Sequence, residues 1–522
     1  MNPVSSNNRS GQPPSQGTSS DASAWLAVTA GTIGALMATL DISVVNSSLP
    51  TIQGEIGATA SEGTWVSTAY LVAEIIIIPL SGWLERMFSL RLFLMIFVVG
   101  FTAFSVICGL SSSLTQMIIG RVGQGFTGGA LIPTALSIVA TRLPADKQPV
   151  GVALFGLTAV LGPILGPLIG GYLTENYSWH YAFFLNVPIG LALLLLLSIG
   201  LPSSASHFED LAEADWFGIF GLAVGLGCLT VVLEEGQRER WFESSEITIL
   251  AIVSLFGFIV LLTAQFLVRK PVVKLKIILE RSFGSVFIMS MVVGAALYGI
   301  LFLIPQFLSA IPRYNSEQSG YVALVSGIPT LLVMPVFPFL IRNLDIRIAV
   351  AFGLFVYGIS CFMNSFLTPE WSGEQFVWAQ LLRGVGQAFS FLFLNAAATS
   401  AVSNEYKEDA SGLFNAARNL GGSIGLAVIT TMQDTRGAFH TERISESLHA
   451  NSTMVQSQIT QAAQNPDQVR QAMMLLKEGI DFQASVMSFS DIFYVLGIVL
   501  LLAVPLAFFL KPLPADASAS PA

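Results

Sequence analysis

Val122-Gly123-Gln124-Gly125-Phe126 recurs 263 residues further on as Val385-Gly386-Gln387-Ala388-Phe389. Each copy lies inside an apolar run, and each of those runs is the fourth in a block of six. Hydropathy places the first block near residues 25–47, 62–83, 91–110, 115–140, 150–173 and 181–200, and the second near 283–304, 319–341, 347–367, 375–400, 411–433 and 489–510. Two further runs, 215–234 and 246–268, separate the blocks. Runs of this length carry a helix across about 30 Å of hydrocarbon. The pattern predicts an all-α polytopic membrane protein of fourteen spans, with related halves around a central cavity, an arrangement that suits transporters.

Composition agrees. Of the 522 residues 53% are hydrophobic and 11% charged, against roughly 25% charged in a soluble domain. The net charge of −9 carries little weight, because much of the acid falls in solvated loops. Cys108, Cys228 and Cys361 lie in separate apolar runs without metal-ligand spacing, so no disulfide, metal or other cofactor is implied. Residues 1–24 are rich in Ser, Asn, Gly, Gln and Pro and read as a disordered tail without a cleavable signal.

Basic residues orient the chain. With the N-terminus inside, the inner segments hold Arg9, Arg86, Arg91, Arg142, Lys147, Arg269, Lys270, Lys274, Lys276, Arg281, Arg342, Arg347, Lys407 and Lys511, whereas the short outer loops hold Arg238, Arg240 and Arg313. The positive-inside rule therefore places both termini in the cytoplasm of a cell whose inner membrane the chain crosses many times. The expected domains are an N-terminal bundle (25–200), a linker with two spans (201–282), a C-terminal bundle (283–510) with a long outer loop (434–488), and a cytoplasmic tail (511–522).

Ionisable groups inside a membrane cost on the order of 3 kcal/mol or more each, which makes them candidates for function. Asp41 lies in Leu40-Asp41-Ile42-Ser43-Val44-Val45-Asn46, a few residues below the outer end of the first span. It reads either as a cap or interfacial carboxylate or as a functional one. Glu74 sits mid-span beside Ile75-Ile76-Ile77-Ile78, where desolvation favours the neutral acid, the state a proton carrier needs. It suits a proton site, a cation site, or both. Arg121 keeps its charge and needs an acceptor; its depth matches that of Asp41. Arg383 and Arg418 pose the same question in the second half, with Gln387 and Asn415 nearby. Gln124, Asn395, Asn415 and Arg418 are candidates for the substrate cavity.

The fifth run contains Gly162-Pro163-Ile164-Leu165-Gly166-Pro167-Leu168-Ile169-Gly170-Gly171. Gly162, Gly166 and Gly170 share one face that lets another helix approach closely, and Pro163 and Pro167 each remove a backbone donor and bend the helix. These residues resemble the antiporter motif of the major facilitator superfamily, within its fourteen-helix drug:proton antiporters of the EmrB/QacA type. Leu40 to Pro50 is similar to that family's first-helix motif, and Arg121-Val122-Gly123-Gln124-Gly125 to its fourth-helix motif linked to proton coupling. Trp179 to Gly190 and Asn415 to Gly425 also match. One loop departs: Gly82-Trp83-Leu84-Glu85-Arg86-Met87-Phe88-Ser89-Leu90-Arg91 lacks the usual Asp and second Gly, and Glu85 with Arg86 or Arg91 is the available substitute.

The resemblance implies a proton-coupled exporter of hydrophobic or amphipathic compounds that works by alternating access. Asp41, Glu74 and Arg121 would couple protons, and Gly162, Pro163, Gly166, Pro167, Gly170 and Gly171 would serve structure or gating. Its partners would be small substrates, protons and membrane lipids, with a periplasmic adaptor and an outer-membrane channel, and no nucleic acid. A dedicated exporter of an endogenous fatty acid, lipid or siderophore fits the same residues. An enzyme or an ATP-driven pump is disfavoured, because neither a His-Glu-x-x-His pattern nor a Gly-x-x-x-x-Gly-Lys-Ser/Thr loop occurs. Ala450 to Leu476, with Val455, Ile459 and Ala462 at near-helical spacing, is the expected adaptor contact.

Overall fold

The computed structural model describes residues 21–144, 146–202, 214–268, 270–447 and 466–512. Among the described residues fourteen long helices follow one another. They are α1 (Asp21–Ile56), α2 (Trp65–Phe88), α3 (Leu90–Gly109), α4 (Leu114–Arg142), α5 (Gln148–Asn176), α6 (His180–Gly200) and α7 (Trp216–Glu235). Then come α8 (Ser245–Leu267), α9 (Arg281–Ala310), α10 (Ser316–Asn343), α11 (Ile346–Asn364), α12 (Val377–Ser400), α13 (Lys407–Ser447) and α14 (Pro466–Ala503). Twelve of them are long and apolar enough to cross a membrane, thirteen when α5, bent by 40° between its Pro163 and Leu165 segments, counts as one span. The other, α13, is 41 residues long and far more polar, because its last turns continue beyond its apolar portion and are largely exposed.

Local chemistry marks several starts. Ser113 accepts from the Gln116 amide at 3.4 Å to open α4, Asp215 caps α7 through Gly218 N–H at 2.7 Å, and Asn315 and Gln318 form a reciprocal capping box on α10. Each supplies an acceptor to an amide that the helix itself leaves unpaired.

Helices α1–α6 pack as one bundle and α9–α14 as the other, while α7 and α8 lie together with α7 against α2 and α13. The halves are built alike at the repeated pentapeptide. A methyl group on Gly123 of α4 would strike Phe104 of α3, and one on Gly386 of α12 would meet Tyr357 of α11. The glycine face of α5 turns to α1: Gly162 faces Thr39, Gly166 faces Ser43, and Gly170 faces Ser47 and Val44. That face binds two helices of the same half. Across the halves the close approach is made instead by Gly156, which faces Leu392 and Met334.

Three expectations change. The first span, expected over 25–47, continues to Ile56 as α1, so Asp41 lies in mid-helix and cannot be an end cap. The stretch 434–488, read as a loop, is helical over 434–447 and 466–488, where α13 and α14 continue beyond their apolar portions. Arg436 donates to Asp491 at 2.7 Å and Thr441 to Asp481 at 3.4 Å, holding these extensions side by side. Val455, Ile459 and Ala462 lie outside the described residues. Finally, Glu85 pairs with neither Arg86 nor Arg91. It accepts from Ser137 at 3.2 Å, while Arg86 crosses to the other half and Arg91 donates to the Leu201 carbonyl at 3.1 Å.

Candidate functional site

Asp41 and Arg121 meet deep in the first bundle. Arg121 Nη1 donates to Asp41 Oδ2 at 2.6 Å, and both side chains are sealed from solvent. The other carboxylate oxygen, Oδ1, accepts from Asn186 Nδ2 at 2.7 Å and Gln124 Nε2 at 3.1 Å. Ser105 Oγ lies 2.8 Å from Gln124 Nε2 and 3.2 Å from Asn186 Nδ2. Arg121 also donates to Gln124 Oε1 at 3.0 Å and to the Val66 carbonyl at 3.0 Å, and its guanidinium lies 4.3 Å from the centre of the Tyr70 ring. Five helices thus contribute to one buried carboxylate.

This arrangement can hold a charge where lipid could not. Removing one partner from a buried ion pair leaves an uncompensated charge and costs about 3–5 kcal/mol. Gln124, expected as a substrate contact, has both ends of its amide engaged in this network. Asn186 and Ser105 escaped the sequence reading. Asn186 lies in α6 as the polar residue before an apolar run, within the stretch Trp179 to Gly190, a signal that could have found it; Ser105 inside α3 gives none.

Glu74 occupies a different place, at the boundary between the halves. It is 2% exposed, and a methyl group on Gly129 of α4 would meet its Cγ. Its polar neighbours Arg418 and Asn419 belong to α13. The structure therefore sets Asp41 with Arg121, and Glu74 with Arg418. Asn395 and Asn415 are buried; each donates to its own helix, to Phe391 O at 2.8 Å and Ser411 O at 2.9 Å, and leaves its oxygen without a partner. Arg383 donates to Ser326 Oγ at 2.6 Å, and its Nε has no partner.

At the end of the bundle that carries the basic loops, the halves are locked together. Arg86 reaches Asp409 at 3.0 Å and Glu408 at 3.2 Å in the first turn of α13, and Lys274 lies 3.7 Å from both Asp409 and Glu405. Ser411 donates to the Pro133 carbonyl at 2.7 Å, and Gly82 lies against the backbone of Glu408 and Asp409. At the opposite end the linker joins them. Glu235 of α7 accepts from Thr64 and Thr68 at the start of α2, Glu234 accepts from Ser423 of α13 at 2.8 Å, and Gln237 donates to Asp434 at 2.5 Å.

Residues 31–426 match the family described as Major Facilitator Superfamily. The chain is 33% identical to a colistin resistance protein EmrB of Acinetobacter baumannii, with 93% of this chain and 96% of that one aligned. It is 31% identical to the multidrug export protein EmrB of Escherichia coli, over 92% and 94% of the two chains. It is also 28% identical to the fatty acid resistance protein FarB of Neisseria gonorrhoeae, over 96% and 98%. Among solved structures, a proton:xylose symporter, XylE, superposes with a TM-score of 0.60 at 12% identity, covering 94% of this chain and 96% of that one.

Proposed function

The chain belongs to the major facilitator superfamily, and from that membership we propose that it is a proton-coupled exporter of hydrophobic and amphipathic compounds. It works as a multi-pass protein of a bacterial inner membrane, with both termini in the cytoplasm. The observation that carries the reading is the sealed Asp41–Arg121 network, a buried ion pair in the middle of α1 and not at a helix end. Multidrug export is favoured by the printed function of the Escherichia coli relative. FarB favours fatty acids as part of the substrate range.

In this orientation the Arg86 lock is the cytoplasmic closure, so the halves stand ready to receive protons from outside. Protonation of Asp41 loosens its hold on Arg121, and Glu74, lying between the halves, responds to whether substrate or proton occupies the centre. Return of the halves to the inward-open arrangement breaks the contacts of Arg86 with Glu408 and Asp409. The test uses purified protein in liposomes with an imposed pH gradient, dye efflux being measured together with substrate-induced proton release. Glu74→Gln should transport substrate down its own gradient and lose acceleration by the pH gradient. Full gradient-driven efflux of every substrate by that variant would remove Glu74 from the coupling.

The finer partner reading is a periplasmic adaptor at the extensions of α13 and α14. Met473, Met474 and Leu475 stand exposed there, an apolar patch of the kind that marks an interaction site. Deleting Ala450 to Leu476 should leave liposome transport unchanged and abolish both cellular resistance and crosslinking to the adaptor. Wild-type crosslinking after the deletion would rule the contact out.

A further inference from the structure

Arg383 brings a positive charge into the interior of the second half, among groups that can donate and lack anything to donate to. It projects from α12 beside Tyr357 and Cys361 of α11, and it donates to Ser326 Oγ of α10 at 2.6 Å. It is 4% exposed, and its Nε has no acceptor. Gln380, one turn away on the same face of α12, is 1% exposed, and neither end of its amide has a partner. The hydroxyl of Tyr357 is sealed and likewise unpaired. A guanidinium N–H, a primary amide and a phenol thus stand together with no acceptor among the described residues. Buried polar groups are ordinarily paired, and each unpaired donor carries its full desolvation cost.

The first half shows what such a set of donors holds. There Arg121 of α4 meets the Asp41 carboxylate, which also receives the amides of Gln124 and Asn186. The helices that face the two arginines are related, because Phe104 and Cys108 of α3 have the same spacing as Tyr357 and Cys361 of α11. Gly123 packs on Phe104 as Gly386 packs on Tyr357. Cys108 lies 3.3 Å from Gln124 Oε1 in the first network, and Cys361 neighbours Arg383 in the second. The donors recur and the carboxylate does not. Arg418, the other buried guanidinium with an unpaired Nε, differs in having Glu74 as an electrostatic neighbour that offsets its charge.

We propose that Arg383, Gln380 and Tyr357 form a binding site for a small monovalent anion of the chloride type, which supplies from solution the negative charge that Asp41 supplies in the first half. One guanidinium without a carboxylate calls for one negative charge. The walls are closed, so an ion entering must leave most of its water behind, and a divalent or strongly hydrated anion such as sulfate would not recover that cost from three donors. The site lies beneath the outer loop. Asn364 ends α11 and Gln380 stands in the first turn of α12, so the ion arrives from the outer side past the buried ring of Phe376. Its charge offsets Arg383 without adding a group that titrates, which leaves proton chemistry to the other half.

The experiment measures equilibrium binding of radiolabelled chloride to the purified full chain in detergent, by scintillation proximity, in gluconate buffer at neutral pH. The wild type should bind chloride saturably, with bromide competing and sulfate not. Arg383→Gln should raise the Kd at least tenfold. Ser326→Asp places a fixed carboxylate where the serine oxygen already touches Arg383, so it should abolish binding, whereas Ser326→Asn, of equal bulk and no charge, should stay within about threefold of wild type. In gluconate alone the ion is excluded, and there Arg383→Gln should unfold no lower than wild type. Absence of saturable binding in the wild type overturns the proposal, as does competition by sulfate equal to that by bromide. A Kd within twofold of wild type in Arg383→Gln or in Ser326→Asp also overturns it. Equal losses in Ser326→Asp and Ser326→Asn would do the same, because bulk and not charge would then be the cause. Should Arg383→Gln fail to fold, the Ser326 pair decides.

Discussion

Arg121 and Arg383 are buried arginines on the fourth helices of two related bundles, and they live in opposite electrical surroundings. Arg121 has a carboxylate at 2.6 Å, two amides, a serine and a backbone carbonyl around the pair. Arg383 has the Ser326 hydroxyl and the neighbouring Tyr357 and Cys361, and among the described residues no carboxylate lies within ion-pair distance of it. They are also one residue out of register, since Arg121 aligns with Gly384 at the repeat offset. The repeat preserved the packing and not the charge. Proton coupling, on the proposed reading, is thus concentrated in one half, and the other half serves as a partner that moves against it.

The largest expected effect comes from removing the charge that distinguishes the first half. Asp41→Asn leaves Arg121 buried without a counter-charge, at a cost of about 3–5 kcal/mol. Gradient-driven efflux should fall to background, and the yield of folded protein should drop. Liposome transport and thermal unfolding of the purified variant check both. Efflux at half the wild-type rate or more would show that the Asp41 network is a structural brace.

Next in size is the same operation on the second half. Arg383→Gln removes a charge that has no ionic partner and an Nε that lacks an acceptor, so it relieves a desolvation cost as well as losing one hydrogen bond to Ser326. Its unfolding temperature should not fall, and pH-gradient acceleration should persist with at most a severalfold loss of rate. Arg121→Gln should show the reverse in both measurements. If the two variants lose coupling equally, the halves share the proton chemistry and the contrast between them is superficial.

Much of the fold was legible because its signals are local. Apolar length gave the spans, the period-four glycines of α5 gave a close-packed face, and the matching depth of Asp41 and Arg121 anticipated their contact. What escaped depends on tertiary direction. Nothing in the order of residues shows that Gly166 faces Ser43 within its own half, or that Ser105 and Asn186 turn toward the same carboxylate. The first helix runs on past Pro50, because a proline in a membrane helix can be tolerated where neighbouring helices resatisfy the freed carbonyl. The extensions of α13 and α14 were hidden by polarity, which reads as loop when hydropathy is the guide. Glu234 and Glu235 are adjacent in sequence, and only the approach of α2 and α13 separates their partners.

The smallest expected effect tests the symmetry of the packing itself. Gly123 and Gly386 occupy equivalent positions, yet the neighbour that a new methyl group meets differs in kind. On Gly123 it would strike the ring of Phe104, a half-buried side chain that can rotate toward lipid. On Gly386 it would lie 2.5 Å from the Tyr357 backbone nitrogen and 2.7 Å from its Cα, and backbone in the middle of α11 can move only by separating two helices. Overpacking of this unyielding kind costs about 1–3 kcal/mol, whereas a ring that swings aside reduces the penalty. Gly386→Ala should therefore lower the unfolding temperature of the purified protein measurably, and Gly123→Ala should leave it nearly unchanged. Equal shifts would mean that Phe104 is held as firmly as a helix backbone, and that the first half is packed as rigidly around its charge as the second is without one.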